Sequence, residues 1–172
     1  MKKNKWLLII IVVSIILTFG LSYAFRVTLN SYTDNNFKVE YDSTWKVEND
    51  TNELKLKHKK TNSILHIQCK ELDKTYMDIS LNDLIVDVID SIEKQNIDYK
   101  LINRMSNPTD MYESFSYLYE KDMKQALVNI YKKDNKLIVV YYEADSECYD
   151  IVLDSVDSIL RTLEIYTGEK VN

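Results

Sequence analysis

Two hydrophobic spacings follow one another along the chain, and the first has a period of two. Residues 37–41 (FKVEY), 53–58 (ELKLKH) and 64–72 (ILHIQCKEL) alternate apolar and polar side chains, which is typical of half-buried strands. The polar run 58–63 lies between the second and third of these segments. It predicts a turn, and therefore an antiparallel hairpin.

Between Ser80 and Gln95 the period lengthens to about 3.6, which predicts an amphipathic helix. Ser80 is a favourable N-cap residue, and Asp83 three positions later resembles a capping box. The apolar face of this helix is formed by Leu81, Leu84, Ile85, Val88, Ile89 and Ile92. We expect that face to cover a sheet.

Strand-like segments resume at 99–103, 112–120, 125–133 and 136–144. Short polar turns separate the last three, which predicts an antiparallel meander.

A second helix is predicted from about Glu147 to Arg161, followed by a short extended segment at 163–166. The residues expected to face inward from this helix are Ile151, Val152, Ser155, Val156, Ile159 and Leu160. The order of elements favours an α+β fold, in which two helices pack on an antiparallel sheet, over a parallel nucleotide-binding sheet.

The segment 6–25 (WLLIIIVVSIILTFGLSYAF) has no charged residue. A helix of this length spans about 30 Å, the thickness of a bilayer core. Lys2, Lys3 and Lys5 favour a cytoplasmic N-terminus, so we predict a single-pass anchor with the following domain outside the cell membrane. The alternative is a signal peptide cleaved near Ala24, which would make the protein secreted.

These features divide the chain into five parts. They are a cytoplasmic basic tail (1–5), a transmembrane helix or signal peptide (6–25), a polar stalk (26–36), an extracytoplasmic α+β domain (37–166) and a tail (167–172).

The net charge of −5 conceals an asymmetry. Four of the 22 Lys and Arg residues lie in the first 26 positions, which leaves 18 against 27 acidic residues beyond them, a net charge of −9. An acidic domain should bind neither nucleic acid nor an anionic bilayer through bulk electrostatics, because both are themselves negative. We therefore expect no nucleic-acid partner.

The sequence offers no pattern for a metal, a cofactor or a catalytic group. His58, His66 and Cys69 are the nearest approach to a zinc set, but His66 and Cys69 are an odd number of positions apart and face opposite sides of a strand. With Gly20 and Gly168 as the only glycines, there is neither a phosphate-binding loop nor a Gly-x-Ser-x-Gly elbow.

The two cysteines, Cys69 and Cys148, leave two alternatives open. Outside the cytoplasm they could form one disulfide that closes a loop of ~80 residues. Otherwise they are two separate thiols, with Cys69 buried in its strand.

Thirteen tyrosines invite a binding interpretation, because tyrosine is enriched in recognition surfaces. Tyr117, Tyr119, Tyr131 and Tyr141 are the candidate binding surface. The simpler interpretation is that tyrosine fits strands. A basic cluster at 55–60 (Lys55, Lys57, His58, Lys59 and Lys60) is interpreted as a solvated strand edge that discourages aggregation.

Residues 37–47 (FKVEYDSTWKV) and 152–165 (VLDSVDSILRTLEI) resemble the opening and the close of the PsbP/Mog1-like family of small exported or lipid-anchored domains. Phe37, Tyr41 and Trp45 match the family's first strand, turn and aromatic residue, whereas Asp42 stands where a proline is usual. The resemblance implies an α+β sandwich. It implies no shared enzymatic activity, because the family includes photosystem assembly factors and a nuclear transport cofactor.

Two functional hypotheses follow. The first is a non-enzymatic, membrane-anchored extracytoplasmic domain that binds a protein partner or an envelope component. The alternative is an envelope-acting hydrolase whose site is not visible as a motif, which would need a deep pocket holding ionisable groups.

Overall fold

A computed structural model describes residues 29–49, 51, 53–95, 100–106 and 113–166. The predicted anchor at 6–25 and the two tails lie outside these ranges. Within them, no helix is long and apolar enough to cross a membrane.

The described residues form ten strands and three helices. The strands are β1 (Leu29–Thr33), β2 (Phe37–Asp42), β3 (Trp45–Asn49), β4 (Glu53–His58), β5 (Ile64–Glu71), β6 (Lys100–Ser106), β7 (Glu113–Lys121), β8 (Lys124–Lys133), β9 (Lys136–Asp145) and β10 (Glu164–Ile165). The helices are α1 (Lys74–Met77), α2 (Leu81–Gln95) and α3 (Ser146–Leu160).

The strands build two antiparallel sheets. A three-stranded sheet has the order β1-β2-β10, and a seven-stranded sheet has the order β3-β4-β5-β9-β8-β7-β6. The predicted β4–β5 hairpin and the β7–β8–β9 meander are both present. The antiparallel sheets with their helices confirm the α+β class.

Two strands depart from the prediction. β1 lies inside the segment 26–36, which the sequence indicated to be a stalk, and β3 was not predicted as a strand. The side chains of β1 are mostly exposed, so its sequence, LNSYT, shows no apolar alternation. Its pairing with β2, Leu29 opposite Asp42 through Thr33 opposite Lys38, holds it in place instead.

The seven-stranded sheet buries different faces in its two halves. On one face, the apolar rows of β4, β5 and β9 pack against α3 and the three-stranded sheet. On the other face, the rows of β7 and β8 pack against α2. The strand β9 lies between the halves and contributes to both, with Ile138, Val140 and Tyr142 on the α3 side and Leu137 on the α2 side.

The two long helices follow their predicted bounds closely. The inward face of α3, however, is rotated about the helix axis relative to the predicted one. Ile151, predicted to be buried, is 77% exposed, whereas Tyr149 is only 5% exposed. Helical positions advance by about 100°, so a face centred on Val152 and Val156 takes in Tyr149 and turns Ile151 to solvent. In α2, Leu81, Leu84 and Ile85 are buried as predicted, and the side chains of Val88 and Ile92 lie outside the described set.

The corner between β2 and β3 connects the two sheets to α3. Asp42 Oδ1 accepts a hydrogen bond from the Thr44 backbone N–H at 2.6 Å, and its Oδ2 accepts one from Ser155 Oγ at 3.4 Å. The Trp45 Nε1–H donates to the same Ser155 hydroxyl at 2.9 Å. The Asp42 side chain therefore stabilises the turn by accepting the Thr44 hydrogen bond. The family that the sequence resembles usually has proline at this position.

Candidate functional site

An open groove lies on the α3 side of the seven-stranded sheet. Seven strands spaced by ~4.8 Å make a sheet about 30 Å wide, whereas a helix with its side chains is about 10 Å across. Helix α3 and the three-stranded sheet cover β4, β5 and β9. The same face of β6, β7 and β8 borders a cavity of about 650 Å³ beside α3.

The floor of the groove combines apolar and uncharged polar side chains. Strands β7 and β8 supply Ser114, Ser116, Leu118, Gln125, Leu127, Asn129 and Tyr131. Ser116 Oγ donates to Asn129 Oδ1 at 2.6 Å across the two strands, and Asn129 is only 7% exposed. A polar pair fixed by its own hydrogen bond, flanked by leucines, can accept both side-chain and backbone contacts from a ligand.

The walls of the groove come from α3 and β6. Helix α3 contributes Leu153 and Leu160 toward the floor, with Asp150 and Asp157 near the solvent side of the helix and Arg161 just beyond its end. Burial, followed by the charges of Asp150 and Asp157, raises the pKa of Tyr149 to about 12, so this phenol at the helix wall stays neutral. The charged side chains of Asp150, Asp157 and Arg161 thus border the groove, and its floor on β7 and β8 is uncharged.

The second wall, β6, is the outermost strand of the sheet, and all of its side chains are exposed. Leu101, Ile102 and Met105 leave 42%, 48% and 49% of their surface in water. In the described part of the chain its outer edge pairs with no strand. An edge of this kind presents backbone donors and acceptors to any extended segment beside it.

Both histidines lie away from the groove. His66 Nε2 is 2.9 Å from Glu53 Oε2, and His58 Nδ1 is 3.0 Å from Thr61 Oγ1, where burial lowers the His58 pKa. The residues described around the groove include neither His nor Cys, so Ser114 and Ser116 have no imidazole beside them. Across the described ranges, no group of three or more His, Cys, Asp or Glu side chains could hold a metal ion.

The four tyrosines of the predicted binding surface do not come together. Tyr117 and Tyr119 are 2% and 4% exposed and pack in the cluster beneath α2. Tyr141 lies on that same face, where its hydroxyl donates to Glu143 Oε2 at 2.8 Å. Only Tyr131 lies on the opposite face and lines the groove. Alternate residues of a strand face opposite sides of the sheet. Tyr131 is paired with Ile138, which is three positions before Tyr141 on β9, so Tyr131 and Tyr141 face opposite sides.

The two cysteines are free thiols in the structure. Cys69 is paired with Ile138 near the start of β9, and Cys148 follows Asp145 at its end. Ile138 and Asp145 are seven residues apart along β9, a separation of about 23 Å. Cys69 lies beside the first and Cys148 close to the second, whereas a disulfide requires Cα atoms within about 7 Å. The alternative of two separate thiols therefore fits this arrangement.

We expect the intact mass of the unreduced protein to correspond to two free thiols, and Cys69 to react slowly. Burial raises the pKa of Cys69 to about 11. Alkylation of Cys69 at pH 8 should therefore be at least about tenfold slower in the folded protein than after unfolding, because the thiolate is the reactive form. Peptide mass mapping over time measures both rates. Equal rates, or a deficit of two protons in the intact mass, would contradict this arrangement.

Sequence reasoning did not identify the groove, although a signal is present. Along β8, the row Gln125, Leu127, Asn129 and Tyr131 mixes apolar and polar residues, and alternates with the uniformly apolar Ala126, Val128 and Ile130. One face of β8 is therefore fully buried, while the other carries both apolar and polar residues. This pattern indicates that the second face is only partly covered.

Comparison with known proteins identifies the fold. No family model matches the sequence, and no curated protein sequence matches it significantly. Solved structures do match. Cyanobacterial PsbP (CyanoP) from Synechocystis sp. PCC 6803 aligns with a TM-score of 0.63 at 14% identity, over 81% of this chain and 94% of that one.

Two further structures agree. PA94 from Pseudomonas aeruginosa, a protein of unknown function, has a TM-score of 0.55 at 14% identity over 81% of this chain and 99% of its own. LpqN, involved in cell envelope biogenesis of Mycobacterium tuberculosis, has a TM-score of 0.50 at 6% identity over 84% and 94%. The chain has the PsbP/Mog1-like fold, as its sequence indicated, and at these identities the likeness concerns the fold alone.

Proposed function

We propose that this protein is a non-enzymatic, membrane-tethered extracytoplasmic domain that binds an extended segment of a protein partner in the groove between α3 and β6–β8. The observation that carries the proposal is the groove itself, about 650 Å³ in volume, with a floor of apolar and uncharged polar side chains bordered by Asp150, Asp157 and Arg161. It lies beside the exposed edge of β6.

The shape and chemistry of the groove suit a peptide chain. Extended peptides bind sheet edges through backbone hydrogen bonds and place alternate side chains in neighbouring pockets. Here the edge of β6 offers the backbone groups. The groove-lining side chains nearest this edge are Asn103 and Met105 of β6, with Ser116 and Leu118 on the adjacent strand β7, and they offer a surface of mixed polarity.

The tether in this proposal is the uncharged segment 6–25, preceded by Lys2, Lys3 and Lys5, with the N-terminus in the cytoplasm and the acidic domain outside. An accessory role in the envelope is consistent with the structures of similar fold, one of which, LpqN, is involved in cell envelope biogenesis. Cleavage near Ala24 would instead give a secreted domain with the same groove.

The hydrolase hypothesis is less well supported. A hydrolase needs a nucleophile or water activated by a nearby base, and the groove residues that the structure describes include no imidazole or thiol. The carboxylates that border the groove, Asp150 and Asp157, are exposed on α3, where a solvated acid gains little of the burial that tunes catalytic groups.

Site-specific photo-crosslinking in intact cells tests the binding proposal. A benzophenone amino acid replaces Leu153, which lines the groove, or Ile151, which is 77% exposed on another side of the same helix. We expect position 153 to form a discrete adduct with one protein, and position 151 to form none with that protein. The crosslinked segment, mapped by mass spectrometry, is then synthesised as a peptide.

The affinity of that peptide for the full chain in nanodiscs gives the quantitative test. We expect Leu153→Glu to weaken binding by at least about tenfold, because a charge enters an apolar contact, and Ile151→Glu to change it less than about twofold. Asp157→Lys gives a second groove variant at an exposed position. The same adducts from both positions, or turnover of an envelope substrate by the purified chain, would refute the proposal.

A further inference from the structure

A second cleft, with a lining different from that of the groove, gathers basic side chains. It has a volume of about 530 Å³ and lies at the tip of the β4–β5 hairpin. Its lining includes Lys46, Lys57, Lys59 and Lys60, with Asp145 as its one carboxylate among the described residues. This contrasts with residues 27–172 as a whole, whose net charge is −9. We call this site the basic cleft.

Most of the positive charge in the basic cleft is available to a ligand. Lys57 Nζ is 3.9 Å from a carboxylate oxygen of Glu48, a long ion pair. Lys59 Nζ donates to the Ser43 carbonyl at 2.5 Å, a neutral acceptor that leaves its charge uncompensated. Lys46, Lys59 and Lys60 are exposed, and none of them forms an ion pair with a described carboxylate.

The basic cleft lies at the end of the domain where β1 begins. Leu29, the first residue of β1, is paired with Asp42, and the next turn, Ser43–Thr44, is bound by the hairpin tip. The Lys59 backbone N–H donates to the Thr44 carbonyl at 2.8 Å. The start of the first described strand and the basic cleft are therefore neighbours.

The predicted anchor ends close to this point. Four Cα–Cα steps separate Phe25, the last residue of segment 6–25, from Leu29, and they span at most ~15 Å. In the proposed tethered arrangement, the membrane-proximal end of the domain is therefore the end with the basic cleft. That arrangement brings a bilayer surface within reach of the lysines of the basic cleft.

Two exposed apolar side chains mark the same end. Leu29 is 56% exposed and Met123 is 66% exposed. Met123 lies in the β7–β8 turn, and its carbonyl accepts a hydrogen bond at 2.7 Å from Ser146 N–H, next to Asp145. Apolar residues around a basic surface suit the boundary between headgroups and acyl chains.

We propose that the basic cleft binds the phosphate groups of anionic lipids in the bilayer that holds the anchor. The inference rests on the membrane tether of the proposed function, but not on the peptide groove. Each lysine near an anionic surface strengthens attachment roughly fivefold, while the acidic remainder of the domain is repelled. The two effects together orient the domain with α3 and the groove fixed relative to the membrane plane.

Amine labelling of the full chain in nanodiscs tests this inference. Acetylation of individual lysines is followed by mass spectrometry in phosphatidylcholine discs, and in discs with about 30 mol % phosphatidylglycerol. We expect Lys59 and Lys60 to react at least about threefold more slowly in the anionic discs, and high salt to remove the difference. Lys70 and Lys74, at the other end of the domain, should react equally in both.

Matched charge reversals supply the control. In Lys46→Glu/Lys60→Glu, protection of Lys59 by anionic lipid should disappear, whereas Lys70→Glu/Lys74→Glu, with the same change of net charge, should retain it. A third arm adds inorganic phosphate to protein in phosphatidylcholine discs. Equal protection by phosphate alone would make this a site for free phosphate and overturn the lipid assignment.

The remaining outcomes separate the two proposals. Equal labelling of Lys59 and Lys60 in both discs, with the chain retained in them, would overturn the lipid contact and leave the tether and the groove standing. Failure of the chain to remain in the discs, with a new N-terminus near Phe25, would overturn the tether and this inference together. Loss of peptide binding by Leu153→Glu is measured independently of either result.

Discussion

Replacing Trp45 with alanine should lower the free energy of unfolding by about 3–5 kcal/mol. Trp45 is 2% exposed, its Nε1–H donates to Ser155 Oγ at 2.9 Å, and its ring meets His58 edge-on with centroids 5.3 Å apart. The substitution removes a large buried side chain and leaves Ser155 without this donor. Since small domains are stable by only about 5–15 kcal/mol, this is a large fraction of the total.

Urea denaturation followed by far-UV circular dichroism measures this effect without relying on tryptophan fluorescence. Trp45→Phe should be intermediate, because it keeps much of the buried area and loses the indole donor. Lys46→Ala, at an exposed neighbouring position of the same strand, should change stability by less than about 0.5 kcal/mol. A change below about 1 kcal/mol for Trp45→Ala would show that this corner does not hold the two sheets together.

Replacing Ile85 with alanine should cost about 2–5 kcal/mol without affecting the groove. Ile85 is 1% exposed and packs in the cluster beneath α2, on the other face of the sheet. The adjacent Val86, 61% exposed, provides the matched control Val86→Ala. Peptide affinity at the groove should stay within about twofold for both variants, measured where both remain folded.

A double-mutant cycle with milder substitutions then tests whether the two faces are independent. Trp45→Phe and Ile85→Val lie in different clusters, so their effects should add to within about 0.5 kcal/mol. A larger coupling energy, or a loss of peptide affinity in Ile85→Ala, would contradict the separation of the two faces.

Periodicity was sufficient to predict the elements whose burial is one-sided. Helix α2, the hairpin and the meander have long apolar rows, and a row of that kind specifies both the element and its buried face. β1 lacked such a row, because β2 holds it through backbone hydrogen bonds that depend little on side-chain pattern. A paired strand with exposed side chains carries almost no sequence signal.

The site was harder to predict because it depends on how far α3 reaches across the sheet. The alternation along β7 correctly placed Tyr117 and Tyr119 on one face, but it could not show that α2 covers that face. Nor could it show that α3 leaves β6–β8 open. The phase of α3 was similarly ambiguous, because Ile151 and Tyr149 each complete an apolar face with Val152 and Val156.

The alternation of buried faces across the sheet has a consequence for the order of folding. The cluster beneath α2 draws on a continuous stretch, residues 81–137, whereas the cluster beneath α3 joins Phe37 to Ile165. The Thr162 hydroxyl and Glu40 bond across 122 positions of sequence. Closing long loops is slow compared with local contacts. The α2 half can therefore assemble before the two ends of the described domain meet, and the α3 half closes last.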